Sequence, residues 1–113
     1  MYAAIAEHKV THLCGAPTVM SALLNAKPEE RRAFSHKVNF VHAAAPPPEA
    51  VLMAMLQAGF ELTHVYGLTE TYGPAAVCAK HEDWNTLPVE QRAELNGRQG
   101  VAYHLQEGMK VMN

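Results

Sequence analysis

The chain has 113 residues, the size of one small domain, with 49% hydrophobic residues, 18% charged residues and a net charge of -2. Its lysines and arginines are scattered apart from Arg31 and Arg32, so we expect no nucleic-acid partner. No apolar run approaches the ~20 residues of a membrane-spanning helix, and the first residues lack the pattern of a secretory signal. We therefore expect no transmembrane segment and a cytoplasmic protein.

Apolar periodicity predicts helices and strands that alternate along the chain. In the first half of the chain we predict the end of a helix at 2–8, a strand at 10–14, a helix capped by Thr18, a charged turn at 27–32 and a strand at 38–42. In the second half we predict a helix at 48–58, strands at 60–66 and 75–79, a helix at 87–97 and the start of a strand at 101–105. Pro48 is predicted as the first residue of its helix and Gly59 as its C-cap. Alternation of this kind favours parallel pairing, so the predicted fold class is α/β, a segment of a mostly parallel layered sheet.

The two cysteines lie far apart in the sequence. Cys14 and Cys78 each have apolar neighbours, which favours buried free thiols over a disulfide. Free thiols suit a reducing compartment.

The most informative stretch is Tyr-Gly-Leu-Thr-Glu-Thr-Tyr-Gly over residues 66–73, directly after a predicted strand. We interpret Gly67 as a tight turn after the strand, and ligands of open α/β sheets bind just beyond the carboxyl ends of strands. Thr69 can hydrogen-bond a phosphate oxygen, Glu70 is a hard oxygen ligand suited to Mg²⁺, and Tyr66 offers a ring face to a base. The alternative is an ordinary polar turn between a strand and a helix.

This stretch resembles the Tyr-Gly-x-Thr-Glu motif of the adenylate-forming (AMP-binding) enzymes, and the resemblance covers nearly the whole chain. The other segments that resemble the fatty-acyl branch of that superfamily are 10–19, 43–48, 72–78, 87–95 and 98–101. The chain is therefore similar to an internal fragment of the N-terminal domain of a medium- or long-chain acyl-CoA synthetase, with residues 1–113 forming part of one AMP-binding domain.

The resemblance implies a ligase that uses ATP, Mg²⁺ and CoA. In such enzymes a substrate carboxylate attacks the α-phosphate of ATP, pyrophosphate leaves, and the CoA thiol captures the acyl-adenylate. The nucleophile belongs to the substrate, so the protein mainly positions groups and neutralises charge. The implied partners are these small molecules and the remainder of the parent enzyme.

The resemblance also assigns roles to individual residues. Thr69 and Glu70 are the implied catalytic residues, with Glu70 as the Mg²⁺ ligand. The implied nucleotide-binding residues are Ala43, Ala44, Ala45, Pro46, Tyr66, Gly67, Leu68 and Thr69. The implied acyl pocket consists of Gly15, Ala16, Tyr72 and Gly73.

The chain departs from the family in two ways. Ala43 and Ala44 replace glycines in the adenine loop, where added methyl groups would crowd the base and a positive φ is costly. The family's lysine-bearing phosphate loop, ribose aspartate, hinge and C-terminal catalytic lysine have no counterpart in the sequence. Two interpretations stay open: a ligase fragment that is inactive and self-associates when isolated, or a non-catalytic module that binds nucleotide or partner proteins.

Other polar and aromatic residues give weaker predictions. His8 and His12 have the spacing of metal ligands on a helix, but Val10 and Thr11 favour a strand there. His42 and His64 fall near strand ends and are interpreted as hydrogen-bonded structural histidines rather than pocket residues. Trp84 is interpreted as a packing anchor rather than a stacking platform.

Overall fold

Helices and strands alternate in the computed structural model, which describes residues 1–104, 106–110 and 112. The α-helices are α1 (Tyr2–Glu7), α2 (Pro17–Leu24), α3 (Glu49–Gln57) and α4 (Val89–Asn96). The strands are β1 (His12–Gly15), β2 (Val38–His42), β3 (Phe60–Leu68), β4 (Gly73–Val77) and β5 (Val101–Ala102). Short 3₁₀ turns span Pro28–Glu30, Thr69–Thr71 and Glu82–Thr86.

The five strands form one sheet in the order β1-β2-β3-β4-β5. Strands β1, β2 and β3 are parallel, whereas β4 pairs antiparallel with both β3 and β5. The predicted α/β class is confirmed, and parallel pairing is confirmed for β1 to β3. It is wrong for β4, because residues 69–72 are too short a connection for a crossover and allow only a hairpin.

The core lies between one face of the sheet and the helices. Strict alternation in β2 and β3 buries Val38, Phe40, Phe60 and Leu62 on this face, and each is at most 1% exposed. The facing helix residues Met20, Leu23, Leu52 and Met55 are buried to the same degree. Phe40 and Phe60 meet edge to face with ring centroids 6.2 Å apart, a favoured aromatic arrangement.

The two cysteines are both free, as predicted, but their burial differs. Cys78 is buried, whereas Cys14 is exposed, so the prediction that both are buried is wrong for Cys14. Cys14 alternates with the half-buried Leu13 along β1, and its side of the strand is open to solvent.

Several element boundaries differ from the predictions by one to three residues. Helix α2 begins at Pro17 with Ala16 as its N-cap, so the cap predicted at Thr18 is wrong. Pro48 is the N-cap of α3 rather than its first residue. Gly59 follows the C-cap with φ +92°, a value that favours glycine. The strand predicted over 101–105 is observed at Val101–Ala102, and Leu105 lies outside the described residues.

An ion-pair cluster ties β3 to the segment after β4 and to α4. The Glu61 carboxylate lies 2.9 Å from Lys80 Nζ and 3.5 Å from Arg92 Nη2. Burial raises the pKa of Glu61, but the hydrogen bond and charge of Lys80, with the charges of Arg92 and Lys37, outweigh it, and the net pKa shift is downward. Among the described residues, no helix is long and apolar enough to cross a membrane.

Candidate functional site

The Tyr66–Gly73 stretch forms the tip of a β-hairpin. Strand β3 continues through Leu68 because Tyr66, Gly67 and Leu68 pair with β4, with an irregularity in register between Tyr66 and Gly67. The predicted turn at Gly67 is therefore wrong. A Cβ at this position would lie 2.3 Å from the Gly73 carbonyl oxygen, so the close approach of the two backbones requires glycine.

The turn itself comes after the glycine. Residues Thr69–Thr71 form one 3₁₀ turn, and Tyr72 adopts the left-handed conformation with φ 59°. The Thr71 Oγ1 accepts a hydrogen bond from the Leu68 N–H at 2.9 Å and lies 2.8 Å from the Gly73 carbonyl oxygen. The Thr71 hydroxyl thus links the two sides of the turn by hydrogen bonds. This role of Thr71 is absent from the sequence-based predictions, although threonine commonly bonds nearby backbone groups in turns.

A cleft of about 570 Å³ lies where the carboxyl ends of β2 and β3 meet this hairpin. Its lining consists of Ala43, Val65, Gly67, Leu68, Thr69, Glu70, Gly73 and Pro74. All of these except Val65 and Pro74 are predicted site residues. The structure therefore brings the predicted catalytic pair into one cleft with part of the predicted nucleotide and acyl sites, and we name it the hairpin cleft.

Other predicted site residues do not line the hairpin cleft. In the adenine loop these are Ala44, Ala45 and Pro46, which are exposed. Tyr66 is half-buried, and Tyr72 is 97% exposed. Ala16 is the exposed N-cap of α2. The roles implied for these residues stay predictions.

Gly15 has a packing role in this structure. A Cβ at Gly15 would lie 2.9 Å from Val19 Cβ and 3.0 Å from Phe40 Cζ, so a larger residue would push β1 away from α2. Gly15 pairs with His42 across β1 and β2, and it does not line the hairpin cleft. Its predicted acyl-pocket role is likewise untested.

The adenine-loop alanine Ala44 adopts φ +72°, the conformation that the sequence analysis describes as costly for alanine. The left-handed region costs a residue with a Cβ about 1 kcal/mol. The loop therefore keeps a glycine-like backbone at this position although it carries a methyl group.

Thr69 and Glu70 are both exposed at the hairpin cleft. Within the described part of the chain, no three His, Cys, Asp or Glu residues are grouped closely enough to hold a metal ion. Of the described residues, Glu70 alone brings a carboxylate side chain to the cleft lining. A single carboxylate fits Mg²⁺, because this ion commonly binds through one or two carboxylates together with substrate phosphates and waters.

A stacked histidine pair lies directly behind the cleft. His42 and His64 are register partners on β2 and β3, both are fully buried, and their ring centroids are 4.6 Å apart at an interplanar angle of 11°. His64 Nδ1 lies 3.1 Å from the Arg98 carbonyl oxygen, whereas neither His42 ring nitrogen has a partner among the described residues. The prediction of a hydrogen-bonded structural histidine is thus confirmed for His64 and wrong for His42.

Burial of His42 disfavours its charged form. Desolvation, with a smaller contribution from the charge of His64, lowers the pKa of His42 from 6.5 to about 4. His42 is therefore neutral at pH 7. Ala43 and Val65, the next residue along each strand, line the hairpin cleft, so this buried histidine pair lies directly behind the cleft lining.

Curated relatives match the chain over most of its length. It is 46% identical over 114 residues to an acetate–CoA ligase from Humulus lupulus, covering 100% of this chain and 20% of that protein. It is 42% identical over 103 residues to a 4-hydroxybutyrate–CoA ligase from Metallosphaera sedula, covering 91% of this chain and 19% of that protein. The chain thus spans about a fifth of the length of these relatives.

Solved structures share the fold. The N-terminal domain of FACL13 from Mycobacterium tuberculosis superposes with a TM-score of 0.66 at 24% identity, over 89% of this chain and 24% of that one. An O-succinylbenzoate coenzyme A synthetase from Bacillus subtilis, in complex with ATP and magnesium ion, gives a TM-score of 0.59 at 25% identity over 90% of this chain and 19% of that one. Residues 1–113 match the family described as AMP-binding enzyme, and the chain belongs to that family.

Proposed function

We propose that the chain is part of an ATP-dependent acyl-CoA synthetase that adenylates a carboxylic acid and passes the acyl group to CoA. The observation that carries this proposal is the exposed pair Thr69 and Glu70 in a cleft at the carboxyl ends of parallel strands. Ligands of open α/β sheets bind at this end. The relatives support the reaction class of acid–thiol ligation, since two of them are named as acid–CoA ligases.

In this proposal the chain positions phosphates rather than supplying a nucleophile. The Thr69 hydroxyl donates a hydrogen bond to a phosphate oxygen, and the Glu70 carboxylate holds Mg²⁺ against the triphosphate. The bound ion neutralises charge that develops on the phosphates. The Ala43 backbone borders the base, and the turn fastened by Thr71 keeps Thr69 and Glu70 facing the cleft.

The test is Glu70→Gln in the full-length synthetase, with adenylation followed by pyrophosphate exchange into ATP in the presence of short- and long-chain acids. We expect kcat to fall by ~10²-fold or more, the scale of losing one preorganised charge-stabilising group. Thermal unfolding of the variant should be unchanged, because the side chain is exposed.

Glu94→Gln is the matched control, since Glu94 is an exposed carboxylate on α4 that does not line the hairpin cleft. It should exchange at the normal rate. A Glu70→Gln enzyme that matches this control would place the metal elsewhere and refute the proposal for Glu70.

A second candidate is a non-catalytic nucleotide-binding module, and the alanines of the adenine loop favour it. Ala43 adds a methyl group to the cleft lining, and Ala44 is held at φ +72°. A full-length protein that binds ATP but gives no acid-dependent exchange would support this candidate over the ligase. The cytoplasmic location and the self-association of the isolated chain stay predictions. Several relatives, among them one from Arabidopsis thaliana and one from Petunia hybrida, are named as peroxisomal.

A further inference from the structure

A second cleft, of about 480 Å³, lies between the 3₁₀ turn Glu82–Thr86 and the edge strand β5. Its lining includes the polar or aromatic residues His81, Trp84 and Arg98 and the apolar residues Ala79 and Val101. It shares no lining residue with the hairpin cleft. We name it the Trp84 cleft.

The aromatic wall of the Trp84 cleft is held in place by neighbouring groups. Trp84 is half-buried, and its ring lies 5.4 Å from the His81 ring at an interplanar angle of 35°. Its backbone N–H bonds the His81 carbonyl oxygen at 3.1 Å. A ring that is anchored on one side and borders a cleft on the other offers a flat surface for stacking.

The charge of the Trp84 cleft is positive. Arg98 is exposed, and within the described part of the chain its side chain makes no hydrogen bond or ion pair. The positive charge of Arg98 also acts on Cys78, which lines the cleft. Burial raises the pKa of the Cys78 thiol, and the charges of Arg98 and Lys80 oppose that increase. Among the residues that the structure describes, no carboxylate side chain lines the cleft.

We propose that the Trp84 cleft is a second ligand site, which binds a planar aromatic carboxylate. The ring of the ligand stacks on Trp84, and its carboxylate pairs with the Arg98 guanidinium, whose planar donors match a carboxylate in bidentate fashion. The volume suits a ligand of this size, and the apolar residues Ala79 and Val101 cover the remaining ring atoms. The proposal does not rest on the ligase function, because the two clefts are separate.

The chain carries its own reporter for this site, because Trp84 is the single tryptophan of the sequence. The experiment is a fluorescence titration of the 113-residue chain with benzoate, in parallel with benzamide and cyclohexanecarboxylate. Benzamide keeps the ring without the charge, and cyclohexanecarboxylate keeps the charge without the aromatic ring. We expect saturable binding of benzoate with Kd on the order of 1 mM and at least about tenfold weaker binding of the other two probes.

Variants separate this site from collisional quenching and from an acid bound at the hairpin cleft. Arg98→Gln should weaken benzoate binding by ~10-fold or more, because it removes the charge-assisted bonds. Arg32→Gln removes the same charge from an exposed position outside the cleft and should leave binding unchanged. Circular dichroism melts establish that each variant is folded as the parent chain is.

Equal benzoate affinity in the parent chain and in Arg98→Gln would overturn the proposal, as would equal affinity for benzoate and cyclohexanecarboxylate or a lack of saturation. A Glu70→Gln enzyme that exchanges pyrophosphate at the normal rate would count against the ligase proposal alone, because the Trp84 cleft shares no lining residue with the hairpin cleft.

Discussion

The helix-covered face of β2 and β3 and the tip of the β3–β4 hairpin belong to one sheet but are held by different interactions. On the first, fully buried side chains such as Phe40 and Leu62 pack against α2 and α3. On the second, Leu68 and Tyr72 are exposed, and the turn is fixed by the hydroxyl of Thr71 and by two close backbones at Gly67. The comparison indicates that stability resides in the first region, whereas the second carries the proposed ligand site.

The largest expected effect on stability comes from Phe40→Ala. Phe40 is fully buried and contacts Phe60 edge to face, and loss of a core phenylalanine typically costs about 3–5 kcal/mol. Small domains have only about 5–15 kcal/mol in total, so the variant should be largely unfolded at room temperature. Urea unfolding followed by circular dichroism measures the difference.

Leu68→Ala is the matched variant in the hairpin. Leu68 is 54% exposed, and we expect a change in the free energy of unfolding within about 0.5 kcal/mol. Comparable losses in the two variants would mean that the hairpin contributes to the core, and the division between the two regions would be wrong.

The histidine pair gives the next effect, and it lies at the border of the two regions. The pKa of His42 is lowered from 6.5 to about 4 in the folded chain. Between these pH values His42 binds a proton in the unfolded chain but not in the folded chain. The contribution to stability is therefore present above pH 6.5 and is lost as the pH falls from about 6.5 to about 4. A shift of this size corresponds to about 3 kcal/mol.

Unfolding by urea at pH 7.5 and pH 5 tests this expectation, with His42→Phe as the control. Phenylalanine keeps a flat ring beside His64 but does not titrate. The parent chain should lose stability between the two pH values, and the variant should lose much less. Glu61 adds an acid-labile contribution only below its ordinary pKa of 4.5, where the Lys80 pair is lost, so it does not interfere above pH 5. Equal pH dependence in both chains would show that His42 is not the group that titrates.

The helix-covered region was the more predictable of the two because its order is encoded locally. Val38, Phe40 and His42 alternate with less buried residues, so the bounds of β2 follow from the sequence and match the structure. The start of α2 differs from the prediction, which places the cap at Thr18, because Pro17 occupies the first helical position, for which proline is suited.

The hairpin and the histidine pair depend on contacts between strands. The extension of β3 to Leu68 follows from pairing with β4, and the need for Gly67 follows from the distance to Gly73, neither of which periodicity can indicate. The stacking of His42 on His64 depends on the parallel register of β2 and β3. The sequence nevertheless predicts that Thr69 and Glu70 belong to one site, and both residues line the hairpin cleft. The phosphate and Mg²⁺ roles predicted for them stay proposals.

The smallest expected effect comes from Ala44→Gly, and its sign distinguishes backbone strain from packing. Ala44 adopts φ +72°, where removal of the Cβ relieves about 1 kcal/mol of strain, while the greater freedom of glycine in the unfolded chain offsets part of that gain. We expect a net stabilisation of about 0.5 kcal/mol in urea unfolding. Ala22→Gly is the control, since Ala22 is exposed within α2 and the same change there should destabilise by roughly 0.5–1 kcal/mol. Opposite signs would establish that the adenine loop is held in a glycine-like conformation by its surroundings. If both variants lose stability equally, the loop is not strained, and the methyl group of Ala44 contributes to packing as any other alanine does.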